Sequence, residues 1–182
     1  MGKQSDHISK RIEKFINKQK IFFVATAAPE GRINLSPKGM DTFRVLGENR
    51  AIWLNLTGSG NETAAHLAQD QRITVMFCAF EGPPMILRLY AKGTVIHPKH
   101  ELWDDLIGQF PDLGGKRQII DLEIEMVQTS CGMSIPFYDF VSERKELDDW
   151  AKGKGQDGVE TYWKEKNTSS IDGFPTHIEQ GL

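Results

Sequence analysis

The feature that most restricts this chain is the rhythm of its apolar stretches. About six or seven short β-rich runs follow one another through hairpin-sized turns, with little helix between them. Residues 21–26 are apolar, Pro29-Glu30-Gly31 is a turn, and residues 33–36 are its hairpin partner. Residues 42–46 and 51–56 flank Gly47-Glu48-Asn49 as a second hairpin, and residues 72–80 and 85–96 are long apolar strands separated by Glu81-Gly82-Pro83-Pro84. Ile120, Leu122, Ile124 and Met126 alternate with Asp121, Glu123 and Glu125, the pattern of a strand with one face in water. A doubly wound sheet needs a helix after nearly every strand. This chain lacks that alternation, so the expected class is mainly β with short helices (α+β), built as an antiparallel β-barrel.

Helical patterns are few. With Asp6 as cap, a first helix would put Ile8, Ile12, Phe15 and Ile16 on one face and Lys10, Arg11, Lys14 and Lys18 in water, forming a lid over one end of the barrel. Residues 98–110 carry Leu102, Trp103, Leu106, Ile107 and Phe110 at helical spacing; packing on the sheet and use at a protein interface both suit them, and Trp103 and Phe110, if exposed, suit a dimer seam. From residue 143 the composition turns charged and glycine-rich around two short helical patterns, 145–151 and 159–166. The 182 residues therefore divide into a barrel at 1–142 and a C-terminal helical appendage of the same domain at 143–182.

Composition removes several functions. A net charge of −3 offers no basic excess to neutralise a nucleic-acid backbone, so no nucleic-acid partner is expected. No window approaches ~20 apolar residues, and the first twenty residues are charged where a signal peptide is apolar, which makes the cytoplasm the expected location, with no membrane partner. Cys78 and Cys131 stand alone, without metal-ligand or redox spacing, and are expected as reduced thiols. His97 and His100 are three apart around Pro98, too few ligands for a zinc site, so no metal is expected. There is no GxGxxG, no GxxxxGK[ST], no GxSxG and no HExxH, and Ser36 and Ser134 have no evident base.

What remains is a phosphate-directed cluster. Ile52, Leu54 and Leu56 alternate with Ala51, Trp53 and Asn55, and the strand then runs through Gly58-Ser59-Gly60 into Asn61-Glu62-Thr63-Ala64-Ala65-His66-Leu67, a helix start with Ser59 or Asn61 as its cap. The glycines permit close backbone approach, and unpaired N–H groups at the helix mouth suit a phosphate, although an ordinary capped helix gives the same pattern. Ser36-Pro37-Lys38 ends the strand before the second hairpin. Arg88, in an otherwise apolar strand, either faces solvent with Tyr90 and Lys92 or meets an anion.

Lys38, the turn from Leu56 to Leu67, the strand Arg72-Ile73-Thr74-Val75-Met76-Phe77 and the stretch from Arg88 to Gly93 together resemble the pyridoxamine 5′-phosphate oxidase superfamily. Phe77-Cys78-Ala79-Phe80-Glu81-Gly82-Pro83-Pro84 and Ser130-Cys131-Gly132-Met133-Ser134-Ile135-Pro136 are similar to its oxidase-related, FMN-binding branch. The resemblance covers about residues 15 to 140, and the tail is also similar to that branch. It implies a six-stranded antiparallel split β-barrel and a homodimer with FMN in two interface clefts. It further implies that Lys38, Asn61 and Thr63 hold the phosphate or ribityl chain, that Ser36 and Pro37 line the ring through their backbone, and that Leu56 and Thr57 lie along its edge. Arg88 would approach the ring or ribityl chain, and Cys131, Gly132 and Met133 would reach the flavin from the partner subunit.

Two departures qualify the resemblance. The authentic oxidase carries Ser-Arg-Lys at the phosphate turn, where this chain has Asn61-Glu62-Thr63, so two basic contacts are missing and Glu62 would repel a phosphate unless it turns away. The oxidase's C-terminal Arg-and-His substrate clamp has no counterpart, so vitamin B6 oxidation is not implied. The expected function is that of an FMN-binding flavoprotein, an FMN-dependent oxidoreductase passing a hydride at flavin N5 to or from an unnamed small molecule; no catalytic acid or base stands out. The alternatives are a flavin-binding module without turnover, and a haem-binding variant of the barrel, which would lack a clear axial ligand among His66, His97 and His100.

Overall fold

The computed structural model describes residues 2–182. Its elements are β1 (Lys3–Ser5), α1 (Lys10–Ile16), β2 (Phe22–Thr26), β3 (Asn34–Lys38), β4 (Phe43–Gly47), β5 (Arg50–Leu56), α2 (Glu62–Gln69), β6 (Arg72–Cys78), β7 (Ile86–Ile96), α3 (Trp103–Ile107), β8 (Lys116–Ser130) and α4 (Glu146–Lys166), followed by a short 3₁₀ helix, Ile178–Gly181. The strands form one antiparallel sheet in the order β3-β2-β6-β7-β8-β5-β4, with β1 paired to β8. Val24 of β2, Phe43 of β4, Trp53 of β5, Val75 of β6, Leu87 of β7 and Leu122 of β8 share one buried cluster, as a sheet curled upon itself requires. Phe22, Phe43, Phe77 and Trp53 pack at its centre with ring centroids 5.2–6.1 Å apart, several of them edge to face.

The sheet has eight strands where the resemblance implies six. Lys3, Gln4 and Ser5 are all exposed, so β1 carries no apolar alternation to betray it; it pairs along Val127–Thr129, beyond the part of β8 that β5 occupies. At its other end β8 begins at Lys116, before the clear alternation that starts at Ile120, because Arg117, Gln118 and Ile119 are buried with it. β5 is likewise buried on both faces: Ala51 and Trp53 join the central cluster, while Ile52 and Leu54 meet Ile96, Ile119, Leu106 and Phe110 on the outside.

Ile8, Ile12 and Ile16 of the α1 region enter the central cluster, as a lid does. Its cap is Ser9, whose side chain accepts from the Ile12 N–H at 3.4 Å; Asp6 pairs with His7 instead, one turn too early to cap. α3 is shorter than the 98–110 pattern suggests, because hydrogen-bonded turns at His97–Trp103 precede it. Phe110 is buried and Trp103 half-buried against β5, β7 and β8, so these aromatics cover the sheet and are not free for a dimer seam. α2 lies close to β7 at Gly93, where an added Cβ would fall 3.0 Å from Leu67 Cδ1. The two helical patterns of the tail form α4, broken at Gly155, whose φ of 66° is open to glycine at little cost. Ala151, Val159, Trp163 and Ile178 bury one another there.

Candidate functional site

A β-bulge between Asn55 and Leu56 ends the β5–β8 ladder and turns the chain into the glycine corner. Thr57 then anchors it. Its N–H and hydroxyl both donate to Gly115 O, at 2.8 and 2.9 Å, while its Oγ1 accepts from Trp163 Nε1 at 2.8 Å. Gly115 itself sits at φ +70°, where an added Cβ would press on Thr57 Oγ1 at 3.2 Å. Asn167 donates to Gly58 O at 3.1 Å, and Arg117 Nη1 donates to Gly60 O at 3.0 Å. The carbonyls of the corner are thus tied back to β8 and the tail.

Beside the corner lies a cavity of about 490 Å³, lined by β3 (Asn34, Leu35, Ser36, Lys38), by the turn and mouth of α2 (Gly58 to Thr63, His66), and by Asn55 and Arg117. The positional cap of α2, Asn61, makes no side-chain capping bond, so the first-turn N–H groups keep no side-chain acceptor. Asn61 Oδ1 accepts from Asn55 Nδ2, which also reaches Gln118 Oε1. The outer amide nitrogens, Asn61 Nδ2 and Gln118 Nε2, are buried without a partner, as are Arg117 Nε and His66 Nε2. Buried donors in such numbers are uncommon, since each forgoes a hydrogen bond that water would have given it.

Three cations line this space, Lys38, Arg117 and Arg32, and the first two have no carboxylate partner among the described residues. Burial, chiefly, and the neighbouring Arg117 charge pull the Lys38 ammonium down from 10.5 to about 8. Its Nζ stands 5.1 Å from the centroid of the Trp53 ring. Arg117 is 2% exposed, and burial lowers it to about 9, still charged at neutral pH. No carboxylate is among the groups acting on either of them. Glu62 also lines the cavity, and its carboxylate accepts from the Ile171 N–H at 3.1 and 3.2 Å. Arg32 pairs with Asp172 at the rim.

Of the residues named from sequence, Ser36, Lys38, Asn61, Glu62 and Thr63 line this cavity, with Thr63 Oγ1 accepting from Asn34 Nδ2 at 3.4 Å. Pro37 alternates with them on the exposed face of β3. Leu56 packs beside the outer cluster, and Thr57 spends its hydroxyl on Gly115 and Trp163. Arg88 sits on the outer face of β7 with Tyr90 and donates to Ser130 Oγ at 3.2 Å, away from the cavity. Cys131 and Met133 are exposed after β8, and Gly132 abuts the Met85 backbone. Arg117, Gln118, Asn55 and Asn167 were not named from sequence. The available signal was a cation and an amide, Arg117-Gln118, directly before an apolar strand.

A larger groove, about 1240 Å³, runs between α1, the β6–β7 turn and residues 138–140; it is lined by Ala79 to Pro84 of the family-like stretch but by none of the candidate cofactor residues. Groups of three or more metal-ligating side chains are absent among the described residues, and no helix is long and apolar enough to cross a membrane.

The family profile described as pyridoxamine 5′-phosphate oxidase matches residues 8–131. The pyridoxamine 5′-phosphate oxidase family protein ustO of Aspergillus flavus is 34% identical over 191 residues, covering 93% of this chain and 76% of that protein. The chain belongs to the pyridoxamine 5′-phosphate oxidase family. Solved structures agree at the level of fold. A putative pyridoxamine 5′-phosphate oxidase from Lactobacillus delbrueckii matches with a TM-score of 0.54 at 16% identity, over 68% of this chain and 94% of its own. HupZ of Group A Streptococcus matches with a TM-score of 0.52 at 18% identity, over 65% of this chain and 91% of its own. The antiparallel sheet with few short helices is thus the split barrel of the pyridoxamine 5′-phosphate oxidase family.

Proposed function

We propose that the corner cavity receives the phosphate end of FMN and that the protein is an FMN-dependent oxidoreductase acting on a small molecule. The observation that carries this reading is the cavity itself, where an unpaired, half-buried Lys38 meets the uncapped mouth of α2. A phosphate near −2 charge matches that set, because charge-assisted donors and helix N–H groups are what it requires. Amides, hydroxyls and cations suit a phosphate better than they suit the apolar face of a porphyrin, which favours flavin over haem.

Lys38, Asn61 and Thr63 are assigned to the phosphate and ribityl chain, and Ser36 and Pro37 to the ring through their backbone. The Ile171 N–H bond ties the Glu62 carboxylate to the tail and offsets part of its repulsion of the anion. When bound, FMN supplies a two-electron centre at N5. The chain's own contribution is to bind and orient that group; no acid–base pair is assigned.

A homodimer fits the exposed apolar surface. Ile33 (77% exposed) and Leu35 lie on or beside the edge strand β3, and Met133, Phe137 and Val141 (92% exposed) crowd the segment after β8. A monomer rarely leaves so many large apolar side chains in water. Arg88 and Cys131–Met133, remote from the cavity in their own subunit, would act across such an interface.

The test is the absorbance spectrum of the purified protein, with the mass of whatever it releases on denaturation, followed by anaerobic reduction with NADH, NADPH and a panel of small reductants. Released FMN that bleaches with a donor supports the enzyme. FMN that no donor reduces leaves a binding module, and a Soret band replaces flavin with haem.

A further inference from the structure

The turn that should carry two basic phosphate contacts has Asn61-Glu62-Thr63 instead, yet the cavity it borders holds a second cation from a different element. Arg117 enters from the start of β8 as the bulge residue between the Asn55–Gln118 and Leu56–Lys116 rungs, without a partner on β5. Its Nη1 is fixed from two sides, donating to Gly60 O at 3.0 Å and to Asn167 Oδ1 at 2.6 Å. Its Nε is buried with no partner, and no carboxylate neutralises it among the described residues. A guanidinium in that condition is costly unless an anion completes it.

Asn167 is placed to aim it. Fully buried at 0% exposure, it donates through Nδ2 to Gly58 O, accepts the Arg117 bond on Oδ1, and offers its own carbonyl to Thr176. One tail side chain therefore fixes both the glycine corner and the cation behind it.

We infer that Arg117, positioned by Asn167 of the C-terminal tail, is the second cation of the phosphate site, making with Lys38 a dianion clamp that replaces the basic turn residues this chain lacks. This rests on the FMN reading for the identity of the ligand, though not for its chemistry, which is that of a phosphate monoester. The tail is accordingly part of the cofactor site and not a separate appendage. Asn167 is a positioning residue, since it is assigned no contact with the ligand.

Calorimetric titration of the apoprotein with FMN and with riboflavin, which lacks the phosphate, separates this from general flavin affinity. Arg117→Met is expected to weaken FMN by about 10- to 100-fold, the loss of a charge-assisted donor, while riboflavin changes little. Asn167→Ala should lower the FMN-to-riboflavin preference by a smaller factor. Melting of the ligand-free protein guards against misfolding: Arg117→Met should melt no lower than wild type, because an unneutralised buried charge is gone. Were it to melt lower, Arg117→Lys, which retains the charge, should recover part of the preference. An Arg117→Met protein that still prefers FMN over riboflavin as wild type does would overturn the clamp. If wild type binds no flavin, inorganic phosphate is the probe. A phosphate-dependent rise in Tm that Arg117→Met abolishes upholds the clamp without FMN, and no rise in wild type refutes it.

Discussion

In the proposed site Lys38 carries the most weight, because it is a half-buried ammonium with no acidic partner. Replacing it with alanine should weaken FMN about 10- to 100-fold, and Thr63→Val only a few-fold, since a neutral hydroxyl contributes roughly 1 kcal/mol where a charged donor contributes two or three times that. Fluorescence titration of the two variants checks the ranking. The pH dependence follows from the same burial. Folding lowers the lysine from 10.5 to about 8, so between those values the unfolded chain holds more protons and the ligand-free protein gains stability as pH rises. Phosphate affinity runs the other way: it should be level just above pH 7 and fall above about pH 8, and in Lys38→Ala the fall should move up to about pH 9, where Arg117 loses its charge. Lys38 was legible in the sequence because it ends a strand within an already suspect pattern. Arg117 was not, because its neighbours Gly114-Gly115-Lys116 resemble a loop and the role proposed for it depends on Asn167, fifty residues away.

At the level of elements, strands that alternate or run apolar could be read to within a few residues, and β1 could not, since its side chains are all exposed and it is held chiefly by backbone pairing. The corner between β5 and α2 was visible as strand, glycines and helix start, but its rigidity comes from elsewhere. Trp163 of α4 reaches Thr57 with a 2.8 Å bond, and Gly114 N donates to Asp148 Oδ1 at 2.6 Å. Such ties leave no periodic trace. Trp163→Phe, which retains the packing and removes the N–H, should cost about 1 kcal/mol in urea unfolding, and it should weaken FMN by slackening the corner that Thr57 anchors. An unchanged stability and affinity would show the tail to be incidental to the corner.

The whole molecule is a curled sheet with α1 at one end, α3 on its outer face and a tail strapped to the corner, and most of its exposed large apolar residues lie at or beside β3 and in residues 131–141. The barrel class followed from the turn spacing, and the absence of strand–helix alternation was enough to reject a doubly wound sheet. Trp103 and Phe110 suited either packing on the sheet or, if exposed, a dimer seam, and the sheet covers them; helical spacing does not say which neighbour a face meets. Light scattering should find a dimer for wild type and a shift toward monomer for the pair Leu35→Asp and Val141→Asp, with flavin affinity falling alongside if the partner completes the cleft. The most direct measurement is a crystal structure of the protein with FMN added. Phosphate density within hydrogen-bond distance of Lys38 Nζ and the first N–H groups of α2 is the expected result; a flavin seated elsewhere, with the corner closed and Lys38 unoccupied, would contradict it.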